Sequence, residues 1–169
     1  MFFRRLWLCM SLFLLGTLPL SAMMVSFLVI ETGLGEGEGR NEFSTLWETS
    51  LMDVFFEEGH IVSNAPVMRL PEKPEGEFPP EALKELQDAR KGGADFFVLA
   101  LMDYTDSPAA GSKRPPRTVS LRLFKINPYQ FLFEQLFSGT VSASAKEDFL
   151  NAKKAVQTII PYIHDDKDR

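Results

Sequence analysis

The sequence predicts an α/β (α+β) fold, a mixed sheet of about five strands with three helices packed on it. Two continuous apolar runs, Met24–Thr32 and Ala94–Tyr104, have the composition of strands that are buried on both faces. Segments with helical periodicity alternate with these runs along the chain. A final pair of strands with alternating polarity flanks a turn at Asn127-Pro128-Tyr129.

The length and composition fit one domain. The chain has 169 residues, of which 45% are hydrophobic, and its 15 Phe supply ample material for a core. The formal net charge of −5 becomes more negative without the early Arg4 and Arg5, which disfavours nucleic acid as a partner. The only cysteine, Cys9, lies in the apolar leader. A processed chain would therefore have no disulfide, thiolate metal site or cysteine nucleophile.

The first 22 residues have the pattern of a secretory signal peptide. Two arginines precede the apolar run Leu6–Leu15, and Leu20-Ser21-Ala22 offers small residues suited to signal-peptidase cleavage. The alternative is a membrane anchor, because Leu6–Ile30 contains no charged residue and is long enough to span a bilayer. The β-branched residues within 25–30 favour a strand in that part, so the signal peptide is the preferred interpretation.

The domain organisation follows from this leader. We predict a signal peptide over residues 1–22, a single α/β domain over 23–164 and a charged C-terminal tail over 165–169. The expected location is the periplasm or the medium, with anchoring to the inner membrane as the alternative.

The segment Ser44–Leu70 is predicted to contain a helix, its end and a following strand. Thr45 and Glu48 have capping-box spacing at the start, and Gly59 can adopt the left-handed conformation that ends a helix. His60–Ser63 then has the composition of a short strand. The apolar side of the helix consists of Trp47, Leu51, Val54 and Phe55.

A glycine-rich loop, residues 33–40, joins the first strand to this helix. It lacks the Gly-Lys-Ser/Thr of a phosphate-binding loop, and Glu36 and Glu38 place negative charge where a phosphate would bind. A plain connection is therefore the favoured interpretation.

The middle of the chain is predicted to be a surface loop followed by a helix. Pro71–Pro80 is rich in proline and glutamate and has no core periodicity. Pro80 suits the first turn of the helix, Leu83 and Leu86 are expected to face inward, and Gly92-Gly93 ends it.

The last strands are predicted to form an antiparallel hairpin. In the first strand, Val119 to Leu123, Ser120 and Arg122 fall on the exposed side. The second strand spans Gln130–Ser142, with three phenylalanines placed together on one side: Phe131, Phe133 and Phe137.

A closing helix is predicted to follow a capping box of Ser144 and Glu147. Pro161 is expected to kink the helix near its end, and His164 falls in the charged tail. The apolar face consists of Phe149, Ala152, Val156, Ile159 and Ile163.

Candidate catalytic and metal-binding residues are few. His60 follows Glu57 and Glu58, but Gly59 interrupts the helix between them, and a solvated helix end is the favoured interpretation. Asp103 and Asp106 could approach each other through a turn as an acid/base pair, although capping of the loop start is the favoured role.

Two exposed segments are candidate binding surfaces. Lys113, Arg114 and Arg117 form a basic cluster on an otherwise acidic protein and could engage an acidic partner or lipid head groups. A plain solubilising loop is the alternative interpretation. The proline-rich Pro71–Pro80 could dock on a partner in its extended form, and a linker on the surface is favoured over that role.

The order of elements resembles a group of bacterial envelope domains. The succession MVSFLVIET, FFEEGHIVSNAP, GGADFFVLALMDY and TVSLRLFKIN is similar to the domain shared by the curli-secretion lipoprotein CsgG, the penicillin-binding-protein activator LpoB and the N-terminal domain of TolB. Gly93-Ala94-Asp95, at the start of a hydrophobic strand, is the most characteristic piece. The chain lacks a credible lipobox and any segment resembling an added channel-forming hairpin. The resemblance implies a non-enzymatic accessory or scaffold component, and it carries over no functional residue because the shared motif is structural.

The predicted function is a non-catalytic binding or accessory domain without a cofactor. Its expected partner is another cell-envelope protein, and association with a membrane surface is a further expectation. The alternatives are a small carboxylate-dependent envelope hydrolase and a membrane-tethered structural protein that keeps its leader.

Overall fold

The protein is described here from a computed structural model, which covers residues 22–35, 39–105, 113–139, 142 and 144–167. The predicted mixed sheet with helices packed on it is confirmed, and the described chain contains six strands. The strands are β1 (Met24–Thr32), β2 (Ile61–Asn64), β3 (Met68–Leu70), β4 (Phe96–Asp103), β5 (Thr118–Lys125) and β6 (Gln130–Ser138). The helices are α1 (Glu42–Glu57), α2 (Leu83–Lys91), α3 (Ala145–Gln157) and α4 (Ile160–Lys167), and a 3₁₀ turn spans Pro80–Ala82.

The sheet has the strand order β2-β1-β4-β5-β6. Strand β1 is parallel to β4 on one side and to both β2 and β3 on the other, whereas β5 is antiparallel to β4 and β6. Strand β3 pairs through Ile30, Glu31 and Thr32 of β1 and was not predicted. Its three residues are too few to produce a strand periodicity.

Strands β1 and β4 are buried on both faces, as predicted. Helices α1, α3 and α4 cover the first face, where Phe27 of β1 and Val98 of β4 belong to one core. Helix α2 and the segment before it cover the second face, where Leu28 and Leu99 belong to another core. Alternate residues of the same strand therefore enter different cores.

The segment before α2 is part of the second core, and its prediction as a plain surface loop is wrong for residues 76–78. The ring of Phe78 lies 5.9 Å from that of Phe97 and 5.2 Å from that of Phe124. Arg122 of β5 donates from Nη1 to the carbonyls of Gly76 and Glu77, each at 2.7 Å. The segment thus closes over the sheet.

Because this segment covers β5, the predicted exposure of one face of that strand is wrong. Ser120 and Arg122 were expected to face solvent, but both are buried. Local alternation of polarity indicates which side chains of β5 share a face of the sheet. It does not reveal that a distant loop covers the polar face.

The predicted grouping of three phenylalanines on β6 is also wrong. Leu123 pairs with Phe133 and Phe124 pairs with Phe131, so Leu132 is an extra residue at a bulge. Phe133 consequently packs on the first core and Phe131 on the second. The strand ends at Ser138, earlier than predicted.

The helix ends follow local chemistry only in part. Asn41, not Thr45, caps α1, since its side chain accepts from the N–H of Phe43 at 2.8 Å. The end at Gly59 is confirmed by a φ of 78°, and Ser144 caps α3 by accepting from the N–H of Glu147. Leu83, expected to face inward, is 47% exposed, and the neighbouring Ala82 is buried instead.

The closing helix consists of two segments. It is interrupted at residues 158–159, before Pro161, which lies in the first turn of α4. The apolar face is nevertheless as predicted, because Ala152, Val156 and Ile163 are buried in the first core. Helix α4 continues to Lys167, so His164 lies in a helix and not in a frayed tail.

Candidate functional site

An exposed apolar surface near one edge of the sheet consists of Met52, Phe56 and Ile61, which we call the apolar patch. Their side chains are 45%, 77% and 57% exposed. Together with residues 53, 60 and 62 they line a surface concavity of about 430 Å³. Met52 and Phe56 are four residues apart and so share one side of α1, and the turn at Gly59 brings β2 next to them.

Strand β2 lies at the edge of the sheet next to the apolar patch. The N–H of Ile61 donates to the carbonyl of Met23 and that of Ala65 to the carbonyl of Phe27, both at 2.9 Å. In a parallel pair the backbone groups of alternate residues point the same way, so those of Val62 and Asn64 point away from β1. No strand of the described chain pairs with that side of β2. The edge is therefore a template for an added strand.

Charged residues border the apolar patch on the side of α3. Lys153 donates from Nζ to Glu57 Oε1 at 2.7 Å and lies 3.7 Å from Asp53 Oδ2. The hydrogen bond to Glu57 is the main reason that the pKa of Lys153 is raised. This contact joins α1 to α3 beside the apolar patch and gives it a polar rim.

His60 lies behind the apolar patch, and its prediction as a solvated helix end is wrong. It is buried, with its ring 6.4 Å from that of Phe55 and 5.9 Å from that of His164. The contact between His60 and His164 could not be predicted from the sequence, because His164 belongs to the last helix and lies far from His60 along the chain. No group of three or more His, Cys, Asp or Glu side chains that could hold a metal ion occurs within the described ranges.

The predicted basic cluster borders a gap in the described chain. Lys113 and Arg117 are exposed, whereas Arg114 is partly buried and donates from Nη2 to the carbonyl of Tyr104. The carbonyl of Arg114 also accepts from Asn41 Nδ2 at 2.9 Å. Arg114 therefore connects the end of this loop to the residues that follow β4 and precede α1.

The predicted carboxylate pair can be located only in part. Asp103 Oδ1 accepts from the N–H of Thr105 at 2.9 Å, which is a loop-capping contact. Asp106 lies outside the described residues. The predicted leader, apart from Ala22, also lies outside them.

Comparisons with solved structures find chains with limited similarity to this one. Two PelC dodecamer structures from Paraburkholderia phytofirmans are 11% and 14% identical to the chain, each with a TM-score of 0.47. The matches cover 83% of this chain and 89% and 87% of those chains. TolB from Acinetobacter baumannii is 15% identical with a TM-score of 0.38, and the match covers 86% of this chain and 28% of TolB.

No curated protein matches the chain in sequence. Among the helices that the structure describes, none has both the length and the apolar character needed to cross a membrane. A family model described as "Uncharacterised protein" matches residues 25–127, and the chain belongs to that family.

Proposed function

We propose that this chain is a non-catalytic accessory domain of the bacterial cell envelope that acts by binding another envelope protein. The exposure of Phe56 is the observation that supports this proposal best. Phe56 is 77% exposed on a helix whose opposite side is fully packed. Burying such a side chain in an interface contributes on the order of 1.5–3 kcal/mol, which makes it a natural anchor.

The open edge of β2 suggests how a partner binds. An extended segment of the partner would pair with the outward backbone groups of Val62 and Asn64 and place its apolar side chains against Phe56 and Ile61. Main-chain hydrogen bonds then supply affinity, and the apolar patch supplies specificity. Strand β2, with the sequence IVSN, carries neither proline nor charge to oppose this pairing.

Envelope location is proposed from the sequence pattern. The leader over residues 1–22 has the features of a signal peptide, which supports a periplasmic or secreted protein. The similarity in element order to the domain shared by CsgG, LpoB and TolB supports the same location. The exposed Lys113 and Arg117, next to Arg114, are proposed as a second contact for an acidic partner or lipid head groups.

The absence of catalysis is part of the proposal. Asp103 is engaged in a capping contact, and this supports a structural role for it. Activity profiling of the chain beside Asp103→Asn and Asp106→Asn tests the point. A hydrolytic activity that both substitutions reduce would make the protein an enzyme and would end this part of the proposal.

Site-specific cross-linking in the producing cells tests the binding role. A photoreactive amino acid at position 52, beside Phe56, is expected to yield one reproducible adduct with another envelope protein. The same probe at position 129 serves as the control, because Tyr129 is 55% exposed and lies at the turn between β5 and β6. The adduct should disappear when Phe56→Asp is added and persist with Leu83→Asp, which changes an exposed apolar residue elsewhere.

Two results would overturn the proposal. Equal adducts at positions 52 and 129 would mean that the apolar patch has no specific partner. An adduct with the mass of two copies of the chain would mean self-association instead of binding to another envelope component.

A further inference from the structure

Strand β6 forms the edge of the sheet opposite β2, and no strand of the described chain pairs with its outer side. The N–H of Gly139, just after β6, donates to the carbonyl of Arg117 at 3.0 Å. Every second residue of an antiparallel strand points its backbone groups the same way, so Phe137 and Gln135 also face β5. The backbone groups that point outward are those of Glu134, Leu136 and Ser138.

This edge lacks most of the features by which proteins protect a sheet edge. Such edges usually carry proline, lysine or a bulge that interrupts the strand. Strand β6, with the sequence QFLFEQLFS, has no proline, and its only charged residue, Glu134, accepts from Arg122 Nε at 2.8 Å. The bulge at Leu132 lies towards one end of the strand, so residues 133–138 pair regularly with β5. A regular stretch of edge is therefore available to another strand.

Exposed apolar side chains border this edge on both faces of the sheet. Leu136 is 59% exposed and lies on the same face as Glu134, because the two residues are two apart in a strand. On the other face, Tyr162 of α4 is 41% exposed, and its ring lies 4.6 Å from that of Phe133. An added strand would therefore cover apolar surface on both faces while it pairs with the backbone.

The sequence of β6 is complementary to itself across a two-fold axis. Two copies of the strand can pair antiparallel around an axis perpendicular to the sheet, which passes through a residue that lies opposite itself. With Gln135 on the axis, Phe133 lies opposite Phe137 of the second copy, and Glu134 lies opposite Leu136 of the second copy. Aromatic residues in opposite positions on neighbouring strands stabilise a sheet.

The two neighbouring registers are less favourable. With Glu134 on the axis, the carboxylates of the two copies would be directly opposite, and like charges in that position destabilise a sheet. With Leu136 on the axis, Phe133 would lie opposite Gly139 and the aromatic pairs would be lost. The side chains therefore select the register with Gln135 on the axis.

We propose that two copies of this chain associate through β6, antiparallel and with Gln135 at the two-fold axis, to form one continuous sheet. The edge at β2 and the apolar patch remain free in this dimer, so the proposal does not depend on the protein-binding role. Pairing of two strand edges buries less than about 1,200 Å² of surface, so we expect a dissociation constant on the order of micromolar.

Sedimentation equilibrium of the protein purified from producing cells tests the dimer across the micromolar range. Leu136→Glu places a carboxylate opposite Glu134 of the second copy and should weaken association at least about tenfold. Leu136→Lys places an ammonium group at the same position, where it can pair with that carboxylate, and should retain the dimer. The two variants remove the same exposed side chain, and their urea denaturation checks that both are folded.

A disulfide at the two-fold axis tests the register independently. The backbone groups of Gln135 face β5, so the two copies of this residue form a non-hydrogen-bonded pair with Cα atoms about 4.5 Å apart, within the range of a disulfide. Gln135→Cys, combined with Cys9→Ser to remove the native thiol, should give a covalent dimer on treatment with oxidised glutathione. The control Tyr129→Cys should stay monomeric, because the two thiols would lie roughly 40 Å apart.

Four results would overturn the proposal. A chain that stays monomeric across the micromolar range would leave this edge open or assign it to a different protein. A dimer that Leu136→Glu does not weaken would form through another surface. Loss of the dimer in both Leu136→Glu and Leu136→Lys would exclude the stated register. Equal cross-linking of the Gln135→Cys and Tyr129→Cys proteins would mean random collision.

Discussion

Arg122 and Glu134 face each other across β5 and β6, with Arg122 Nε donating to Glu134 Oε1 at 2.8 Å. Through Nη1 the same guanidinium donates to the carbonyls of Gly76 and Glu77. One buried side chain therefore joins the edge hairpin to the segment that closes the second face of the sheet. This relationship makes the second core depend on a polar residue.

Replacing Arg122 is expected to destabilise the domain. Arg122→Met leaves two carbonyls without their donor and removes one of the two donors to the Glu134 carboxylate, which should lower the free energy of unfolding by about 2 kcal/mol. Denaturation in urea measures the change. The control Arg90→Met removes an exposed arginine on α2 and should change stability by less than about 0.5 kcal/mol. Equal effects of the two substitutions would contradict the role assigned to Arg122.

The same ion pair predicts a loss of stability in acid. Partial burial tends to raise the pKa of Glu134, but the hydrogen bonds from Arg122 and Ser120 outweigh it, so its pKa lies below the ordinary 4.5. A carboxyl group whose pKa is lowered by folding stabilises the protein above its unfolded value, and this contribution disappears as the pH falls through the folded value. Glu134→Gln should therefore reduce stability at neutral pH and have little effect well below pH 4.5. A difference between the two proteins that does not depend on pH would contradict this prediction.

Phe78 is expected to contribute through packing. Phe78→Ala removes a ring that contacts Phe97 and Phe124 and should cost about 2–3 kcal/mol, less than for a fully buried ring. Leu83→Ala, at an exposed position a few residues later, is the matched control and should cost less than about 0.5 kcal/mol. Chemical denaturation of both variants makes the comparison. A negligible effect of Phe78→Ala would mean that the segment is only loosely attached.

A buried hydroxyl pair should show coupling in a double-mutant cycle. Tyr104 and Ser44 are fully buried, and their hydroxyl oxygens lie 2.9 Å apart. Burial raises the pKa of Tyr104 far above its ordinary value, so the phenol stays neutral. Tyr104→Phe should cost about 1–2 kcal/mol because it leaves the Ser44 hydroxyl without its partner. Adding Ser44→Ala should recover part of that loss, and purely additive effects would exclude the coupling.

The apolar patch should be dispensable for folding. Phe56→Asp is expected to change the free energy of unfolding by less than about 0.5 kcal/mol, because the ring is mostly exposed. Denaturation in urea tests this, with Phe55→Asp as the contrast, since Phe55 is fully buried and its replacement should prevent folding. Strong destabilisation by Phe56→Asp would make Phe56 a structural residue and remove the main support for the proposed interface.

Much of the sheet and the helices could be predicted from local pattern. The apolar runs of β1 and β4 are long enough to indicate burial on both faces, and the period of α1 and α3 identifies their buried sides. Gly59 and Ser144 mark helix ends through chemistry confined to a few residues. None of these inferences requires knowledge of distant parts of the chain.

The candidate sites and the buried ion pair of Glu31 and Arg69 could not be predicted in the same way. Glu31 is one polar residue in an apolar strand, and its partner Arg69 lies in a strand of three residues that produces no periodicity. Phe56 belongs to a helix with a clear apolar side, but its exposure depends on which strand occupies the edge of the sheet. The pairing of His60 with His164 joins two segments that are far apart in sequence.

The sequence alone therefore determined most of the helices and the longer strands, and the apolar faces of α1 and α3, because those properties depend on neighbours within one or two turns. Only the tertiary structure decided that Arg122 is buried, that Leu132 forms a bulge and that Glu31 is buried beside Arg69. Each of these depends on contacts between residues brought together by chain topology. Periodicity carries no information about such contacts.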